Sequence, residues 1–151
     1  NTVEPRSRLV IAGSSNGQEA YKSLLLGSVH ALELKRVLLT EFISAAELNA
    51  CYATATAFLC MSEHEGFCAP LLESMAWDVP VFADAQAAVP ETLAVVGVLF
   101  HGADSATIAE TIVRVARDPA LRTAVLAKQR QRLDAYRRRD VWSEIQALLP
   151  L

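Results

Sequence analysis

Five short apolar runs alternate with helical patterns along this chain, and this alternation constrains its fold most strongly. The runs are Leu9 to Gly13, Val37 to Phe42, Phe58 to Met61, Val79 to Ala83 and Val98 to Phe100. Each is nearly continuous in apolar residues, which is typical of strands in a parallel sheet that is covered on both faces. Strands that alternate with helices predict a doubly wound α/β sheet of Rossmann-like type, with the ligand site outside the carboxyl ends of the strands.

Composition is consistent with one folded domain. The chain has 151 residues, 52% of them hydrophobic, which is enough for a sizeable core. Ser44 with Glu47 three residues later predicts a capping box at a helix start. Beyond Gly102 the pattern is entirely helical, so a helical tail is expected over 104–151. In this tail Asp104 or Ser105 is expected to cap one helix, and Asp118-Pro119 to start another. A net charge of -3 gives no electrostatic argument for nucleic acid. No apolar run approaches the ~20 residues of a membrane span, and no signal segment opens the chain. We therefore expect a cytoplasmic domain.

Cysteine and glycine spacing exclude several kinds of site. Cys51, Cys60 and Cys68 are odd in number and have no CxxC spacing, so neither a disulfide framework nor a zinc site is indicated. Cys60 is expected in the core. Cys68 lies near a helix N-terminus, where a thiol pKa can be lowered, but without a positioned His or Asn a packing role is favoured. The loop from Gly13 to Gly17 lacks both GxGxxG and a terminal Gly-Lys, so dinucleotide and P-loop sites are rejected.

The stretch from Ser62 to Pro90 carries the most specific signal. Glu65 and Glu73 are separated by seven residues, and Pro70 suits the first turn of a helix that is expected to begin near Phe67. A strand that leads into a helix N-terminus forms an anion site. The two carboxylates would lie ~12 Å apart along that helix. This span fits a ligand with hydroxyls at both ends and phosphates between them, as in a nucleotide sugar.

These residues resemble the signature of the group 1 (family 4) retaining glycosyltransferases. The matching positions, in order, are Glu65-Gly66-Phe67, Pro70, Glu73, Met75-Ala76, Pro80-Val81 and Pro90-Glu91. The resemblance implies the carboxy-terminal, donor-binding half of a GT-B type enzyme. It also implies a UDP- or GDP-sugar as the donor substrate, a glycan or lipid-linked sugar as acceptor, no cofactor and no metal. Retention of anomeric configuration is implied as well.

The resemblance assigns roles to a small set of residues. The implied donor-binding residues are Glu65, Gly66, Phe67, Cys68, Leu72 and Glu73. Glu73 would accept hydrogen bonds from both ribose hydroxyls, an arrangement that its charge strengthens. Glu65 would contact hydroxyls of the transferred sugar and is the catalytic residue in this assignment. Backbone N–H groups of Gly66, Phe67 and Cys68 would approach the sugar and phosphate.

Some positions admit a different interpretation or depart from the family. Leu72, Met75 and Ala76 share a helix face whose spacing favours the core. Relatives often have glycine at Cys68 and at Ala87-Ala88, where alanine restricts the backbone. Glu91 is expected to cap a following helix.

Glu41-Phe42 replaces a glycine and a polar residue that lie near the nucleotide base in relatives. This departure supports the alternative function, a nucleotide-sugar-binding or interaction domain without transfer activity. An isomerase of the same architecture is a weaker third option.

The chain is expected to be a fragment, 1–151, of a larger enzyme, without its leading strand and amino-terminal domain. On its own it should transfer no sugar. The closing helix, 141–149, has an apolar side that should fold back or pair two copies. A basic run could contact anionic lipid at the inner face of a membrane, but its helical spacing favours a solvated helix face over a membrane or nucleic-acid site. The run consists of Lys128, Arg130, Arg132, Arg137, Arg138 and Arg139.

Overall fold

A computed structural model describes residues 3–13 and 17–149. The chain divides into two compact units, Asn1–Ala55 and Thr56–Leu151. The loop predicted between Gly13 and Gly17 includes residues 14–16, which lie outside the described residues.

The first unit contains two parallel strands and two helices. β1 (Leu9–Ile11) pairs with β2 (Val37–Leu39), with Leu9 opposite Val37. The helices are α1 (Glu19–Ala31) and α2 (Ala45–Thr54). Their positions confirm the alternation of strand and helix that the sequence predicts, although each strand is shorter than its apolar run.

The capping box at the start of α2 is confirmed. The Ser44 hydroxyl accepts from the Glu47 N–H at 3.3 Å, and the Glu47 carboxylate accepts from the Ser44 N–H at 2.8 Å. The Ser44 N–H and also the Ser44 hydroxyl donate to the Glu47 carboxylate, and these two bonds hold the pKa of Glu47 below its ordinary value. Apolar side chains of this unit remain solvent-exposed: Leu24 is 65% exposed and Leu38 is 58% exposed. The prediction that each strand is covered on both faces is therefore wrong for β1, all of whose residues are exposed.

The second unit contains a three-stranded parallel sheet in the order β3–β4–β5. The strands are β3 (Phe58–Cys60), β4 (Val81–Asp84) and β5 (Val98–Phe100). Its helices are α3 (Ala69–Ala76), α4 (Val89–Leu93), α5 (Ser105–Arg117), α6 (Pro119–Arg137) and α7 (Val141–Leu148). The helical tail predicted beyond Gly102 is confirmed, and the described strands and helices confirm the α/β class.

Both faces of this sheet are covered, as its apolar runs predict. Val81 and Ala83 pack with Leu71 and Leu93 in one cluster, on the side of α3 and α4. Phe82, which alternates with them along β4, belongs to a second cluster with residues of α5. The period of two along a strand places neighbouring residues on opposite faces. The central strand of the unit is thus buried on both sides.

Gln129 of α6 binds the backbone of the segment that enters β4. Its Oε1 accepts from the Val81 N–H at 2.9 Å, and its Nε2 donates to the Val79 carbonyl at 2.9 Å. The side chain is only 1% exposed. Sequence reasoning missed this role of Gln129, which satisfies backbone polar groups that need a buried partner at the start of β4.

Helix starts in the tail follow the predicted caps. The Asp104 carboxylate accepts from the N–H groups of Ala106 and Thr107, and that of Asp118 accepts from Leu121. Glu91, predicted as a cap, instead lies inside α4, whose N-cap is Ala88. The helix begins earlier than expected because Pro90 suits its first turn.

The apolar side of α7 is exposed in the described part of the chain. Trp142 is 67% exposed and Leu148 is 81% exposed. The described residues therefore do not cover this side, so the expectation that it folds back on its own domain is not met. Pairing of two copies through this side stays a prediction.

Candidate functional site

The turn between β3 and α3 holds most of the predicted site residues. α3 begins at Ala69, two residues after the expected Phe67, with Cys68 as its N-cap and Pro70 in its first turn. Cys68 has φ 59° and ψ 61°, a left-handed conformation that glycine adopts most readily. This conformation bends the chain sharply just before the helix and so delays its start.

The turn before α3 leaves backbone donors available. The Leu71 N–H, in the first turn of the helix, donates to the Cys68 carbonyl at 3.0 Å. Within residues 3–13 and 17–149, no protein acceptor is bound by the N–H groups of Gly66, Phe67 or Cys68. These donors precede a helix N-terminus, the positive end of the helix dipole. The order of strand, turn and helix is as predicted, and an anion site at this turn stays a prediction.

Two contacts from α4 and its preceding loop hold this turn in place. The Thr92 hydroxyl donates to the Phe67 carbonyl at 2.7 Å, and the Ala88 N–H donates to the Glu65 carbonyl at 3.3 Å. Thr92 is buried. Sequence reasoning missed Thr92, whose only signal was one hydroxyl within the apolar stretch that follows Pro90.

The basic run on α6 also supports the turn. Arg132 donates to the carbonyls of Thr92 at 3.0 Å and Glu91 at 2.5 Å. Its guanidinium lies 4.5 Å from the ring centroid of Tyr136. That ring meets Phe67 edge-on, with centroids 5.9 Å apart.

The expectation of a solvated face for the basic run is therefore wrong for Arg132, although Lys128 and Arg138 are exposed. Arg130 forms an ion pair with Asp78 at 2.7 Å, and this hydrogen bond lowers the pKa of Asp78. Arg139 is bonded to Glu144. Three arginines of the basic run, Arg130, Arg132 and Arg139, therefore make contacts within the protein.

The two glutamates differ in their surroundings. Glu65 is half-buried within the turn, and Glu73 is exposed on α3. Leu72 is half-buried against the first core cluster, and Met75 is fully buried, which agrees with a core position. Ala76 is exposed, so the prediction that it belongs to the core is wrong.

The turn also brings Cys60 and Cys68 together. Their sulfur atoms are 3.7 Å apart and both side chains are buried. Burial, followed by the hydrogen bond with Cys60 and the nearby negative charge of Glu65, raises the pKa of the Cys68 thiol to about 12. A lowered pKa, which the sequence left open, is wrong, and the packing role is confirmed. Sequence spacing did not predict this thiol pair.

The carboxyl end of β4 adds one more polar group. Among the buried side-chain oxygen and nitrogen atoms of the described residues, Oδ1 of Asp84 has no hydrogen-bond partner. The loop that follows includes Ala87 with φ 49°, again a conformation suited to glycine. Alanine at position 87 therefore adopts a conformation typical of glycine, and a loop shaped differently from that of relatives stays a prediction.

Comparison with known proteins decides the family. The sequence model described as glycosyl transferases group 1 matches residues 2–140. The chain belongs to this family. Among curated protein sequences, none matches this group 1 chain.

Solved structures of similar fold include three that represent different bacteria. The chain is 27% identical to the sucrose-phosphate synthase of Thermosynechococcus elongatus, with a TM-score of 0.70 over 87% of this chain and 34% of the other. It is 25% identical to the C-terminal domain of the group 1 glycosyl transferase LpcC from Francisella tularensis, with a TM-score of 0.66 over 85% of this chain and 68% of the other. A third, HepE from Anabaena in complex with UDP-glucose, is 22% identical, with a TM-score of 0.77 over 97% of this chain and 42% of that one.

These matches confirm the Rossmann-like fold of the carboxy-terminal domain in GT-B glycosyltransferases. The group 1 chain spans about one third to two fifths of the sucrose-phosphate synthase and HepE chains. None of the helices in its described part is both long and apolar enough to span a bilayer.

Proposed function

We propose that this chain is the donor-binding domain of a family 4 retaining glycosyltransferase. It would bind a UDP- or GDP-sugar and present it to an acceptor held by a further domain. The observation that carries this proposal is the turn from Glu65 to Cys68, which leads into α3, the helix that carries Glu73. The N–H groups of Gly66, Phe67 and Cys68 bind no protein acceptor among the described residues. Support also comes from HepE, which has the same fold and was solved with UDP-glucose.

Each site residue has a separate role in this proposal. Glu73 accepts hydrogen bonds from the two ribose hydroxyls, and Leu72 next to it lines the donor site. Glu65 contacts the transferred sugar and is the catalytic residue. N–H groups of Gly66, Phe67 and Cys68 stabilise the diphosphate as it leaves with the electrons of the broken sugar–phosphate bond. The hydroxyl oxygen of the acceptor, a glycan or lipid-linked sugar, forms the new bond on the same face, and its proton passes to the departing diphosphate.

The proposed mechanism needs no cofactor, because the nucleotide sugar is itself a substrate. It also needs no catalytic metal, since backbone donors and the helix N-terminus can meet the developing charge. A cytoplasmic location, with contact to the inner membrane face through basic residues, is part of the same proposal.

Titration of the chain with UDP-glucose and with UDP, followed by NMR, tests this assignment. Glu73→Ala should weaken both ligands by ~1.5–3 kcal/mol, the range for a hydrogen bond to a charged group. Glu65→Ala should weaken UDP-glucose and leave UDP nearly unchanged, because its contacts are to the sugar. Glu63→Ala, an exposed glutamate of the same turn, serves as the matched control. Equal losses for both ligands in Glu65→Ala would contradict this division of roles.

A second candidate is a binding or interaction domain without transfer activity. It is favoured by Glu41-Phe42, where Glu41 forms an ion pair with Lys22 and Phe42 is 85% exposed. A carboxylate in this position alters recognition of the base. Donor binding without transfer or donor hydrolysis, in an enzyme that carries both domains, would favour this candidate.

A further inference from the structure

The thiol pair at the start of α3 lies beside a carboxylate. The sulfur atoms of Cys60 and Cys68 and a carboxylate oxygen of Glu65 all lie within 4.8 Å of one another. We propose that these three side chains bind one thiophilic divalent cation of the Zn²⁺ class. Neither the family match nor the proposed transfer reaction requires such a site.

The separation of the sulfur atoms fits this ion. Zn–S bonds of ~2.3 Å at the tetrahedral angle place two thiolates ~3.8 Å apart. The observed distance between Cys60 Sγ and Cys68 Sγ is 3.7 Å. The pair therefore has the spacing of one edge of a zinc tetrahedron without movement of the backbone.

Charge and ligand type favour the same class of ion. Two thiolates and a carboxylate would concentrate three negative charges in a mostly buried place, which a divalent cation compensates. Sulfur ligands select Zn²⁺ and related soft ions over Mg²⁺ or Ca²⁺. Three protein ligands leave a fourth position for water. Ser62, whose hydroxyl lies 3.6 Å from Cys60 Sγ, would act as an outer-shell partner.

The fold positions these ligands before any ion arrives. Cys60 is the last residue of β3, and Cys68 is the N-cap of α3. Both are held in the first core cluster of the second unit, at 7% and 6% exposure. Glu65 is half-buried in the turn between them, so an ion can enter from the side of its carboxylate.

A consequence for activity rests on the proposed function. Glu65 cannot coordinate a metal and accept hydrogen bonds from the transferred sugar with the same oxygens. An ion at this site would therefore weaken binding of the sugar donor. The metal in this proposal is an inhibitor of the transferase, and the transfer step does not use it.

Metal binding is tested first, without any nucleotide. The reduced chain is titrated with Cd²⁺, and thiolate-to-metal absorption in the ultraviolet is followed. We expect saturation at one ion per chain in the wild type and in the control Cys51→Ser. Cys60→Ala and Cys68→Gly should each lose at least ~100-fold in affinity, more than an outer-shell partner contributes. Glycine suits the positive φ of residue 68, and circular dichroism checks that both variants fold.

Glu65→Gln should keep the sulfur absorption and bind at least ~10-fold more weakly, since an amide oxygen is a poorer ligand than a carboxylate. No sulfur absorption in the reduced wild type, or equal binding by Cys60→Ala, would overturn the site. Unchanged affinity in Glu65→Gln would remove the carboxylate from it.

Competition is tested second, by titrating UDP-glucose with and without saturating Zn²⁺. Weaker binding of UDP-glucose in the wild type, and no such effect in Cys60→Ala, supports the link to Glu65. If Zn²⁺ binds and UDP-glucose binding does not change, the inhibitory link is wrong and the metal site stands. If the metal-free chain binds no UDP-glucose, the proposed donor site fails, while the Cd²⁺ titration still decides the metal site.

Discussion

Gln129→Met should destabilise the second unit although it preserves side-chain size. Gln129 bridges the Val81 N–H and the Val79 carbonyl by two hydrogen bonds of 2.9 Å. Methionine cannot replace either bond. The substitution would leave one buried donor and one buried acceptor without a partner, in a place where the side chain is 1% exposed.

The magnitude follows from those two groups. An unsatisfied buried polar group costs about 1–3 kcal/mol. Two of them would cost about 2–6 kcal/mol, and burying an apolar methionine in place of an amide offsets part of this. A change of similar volume adds little cavity cost. The expected loss in the free energy of unfolding is therefore about 2–4 kcal/mol.

Urea unfolding followed by circular dichroism measures this loss, and hydrogen exchange of the Val81 amide reports it locally. Gln131→Met is the matched control, because Gln131 is exposed on the same helix. It should change stability by less than ~0.5 kcal/mol. An unchanged urea midpoint in Gln129→Met, with normal protection of the Val81 amide, would refute the bridging role.

Three further predictions concern the turn, an ion pair and the reaction. Thr92→Val removes the hydroxyl that donates to the Phe67 carbonyl. It should lower the free energy of unfolding in urea by about 1–2 kcal/mol and weaken UDP-glucose binding. Unchanged affinity for UDP-glucose would show that this hydrogen bond does not support the donor site. Arg130 lowers the pKa of Asp78 below its ordinary 3.8 in the folded state, so the pair stabilises the fold above that pH and loses its effect as pH falls further. Urea midpoints of wild type and Arg130→Gln should therefore differ at pH 7 and converge toward pH 3; a constant difference would contradict the pair. Sugar transfer by an enzyme carrying both domains should survive a chelator, and loss restored by magnesium or manganese would overturn the metal-free mechanism.

The candidate site is formed by a strand, a turn and a helix that follow one another in the chain. Cys60 ends β3, and eight residues, 61–68, separate it from the first residue of α3, with Cys68 as the N-cap. The turn between them carries the N–H donors, Glu65 and the thiol pair. Arg132 and Thr92 hold this turn from outside through its backbone and that of α4. Substitutions that remove the hydrogen bonds of Arg132 or Thr92 should therefore weaken donor binding, although neither residue is proposed to contact the donor.

The sequence by itself determined the elements and the location of the candidate site. Apolar runs of three to six residues predicted all five described strands. Burial on both faces, which requires apolar residues in succession, explains this pattern for β4 but not for β1, whose residues are exposed. The Ser44–Glu47 capping box and the aspartates at 104 and 118 marked helix starts, because these side chains satisfy N–H groups in their own helix. Glu65, Pro70 and Glu73 could be recognised from the sequence because they lie within nine residues of one another.

Contacts between distant segments were decided only by the tertiary structure. Gln129 lies 48 residues from Val81, and Arg132 lies 40 from Thr92. The sequence spacing of polar residues on a helix is the same whether their hydrogen-bond partners are water or buried backbone groups. Cys60 and Cys68 show the same limit at short range. Only the left-handed turn at Cys68 brings the two sulfur atoms to 3.7 Å, and cysteine gives no sign of that conformation in the sequence.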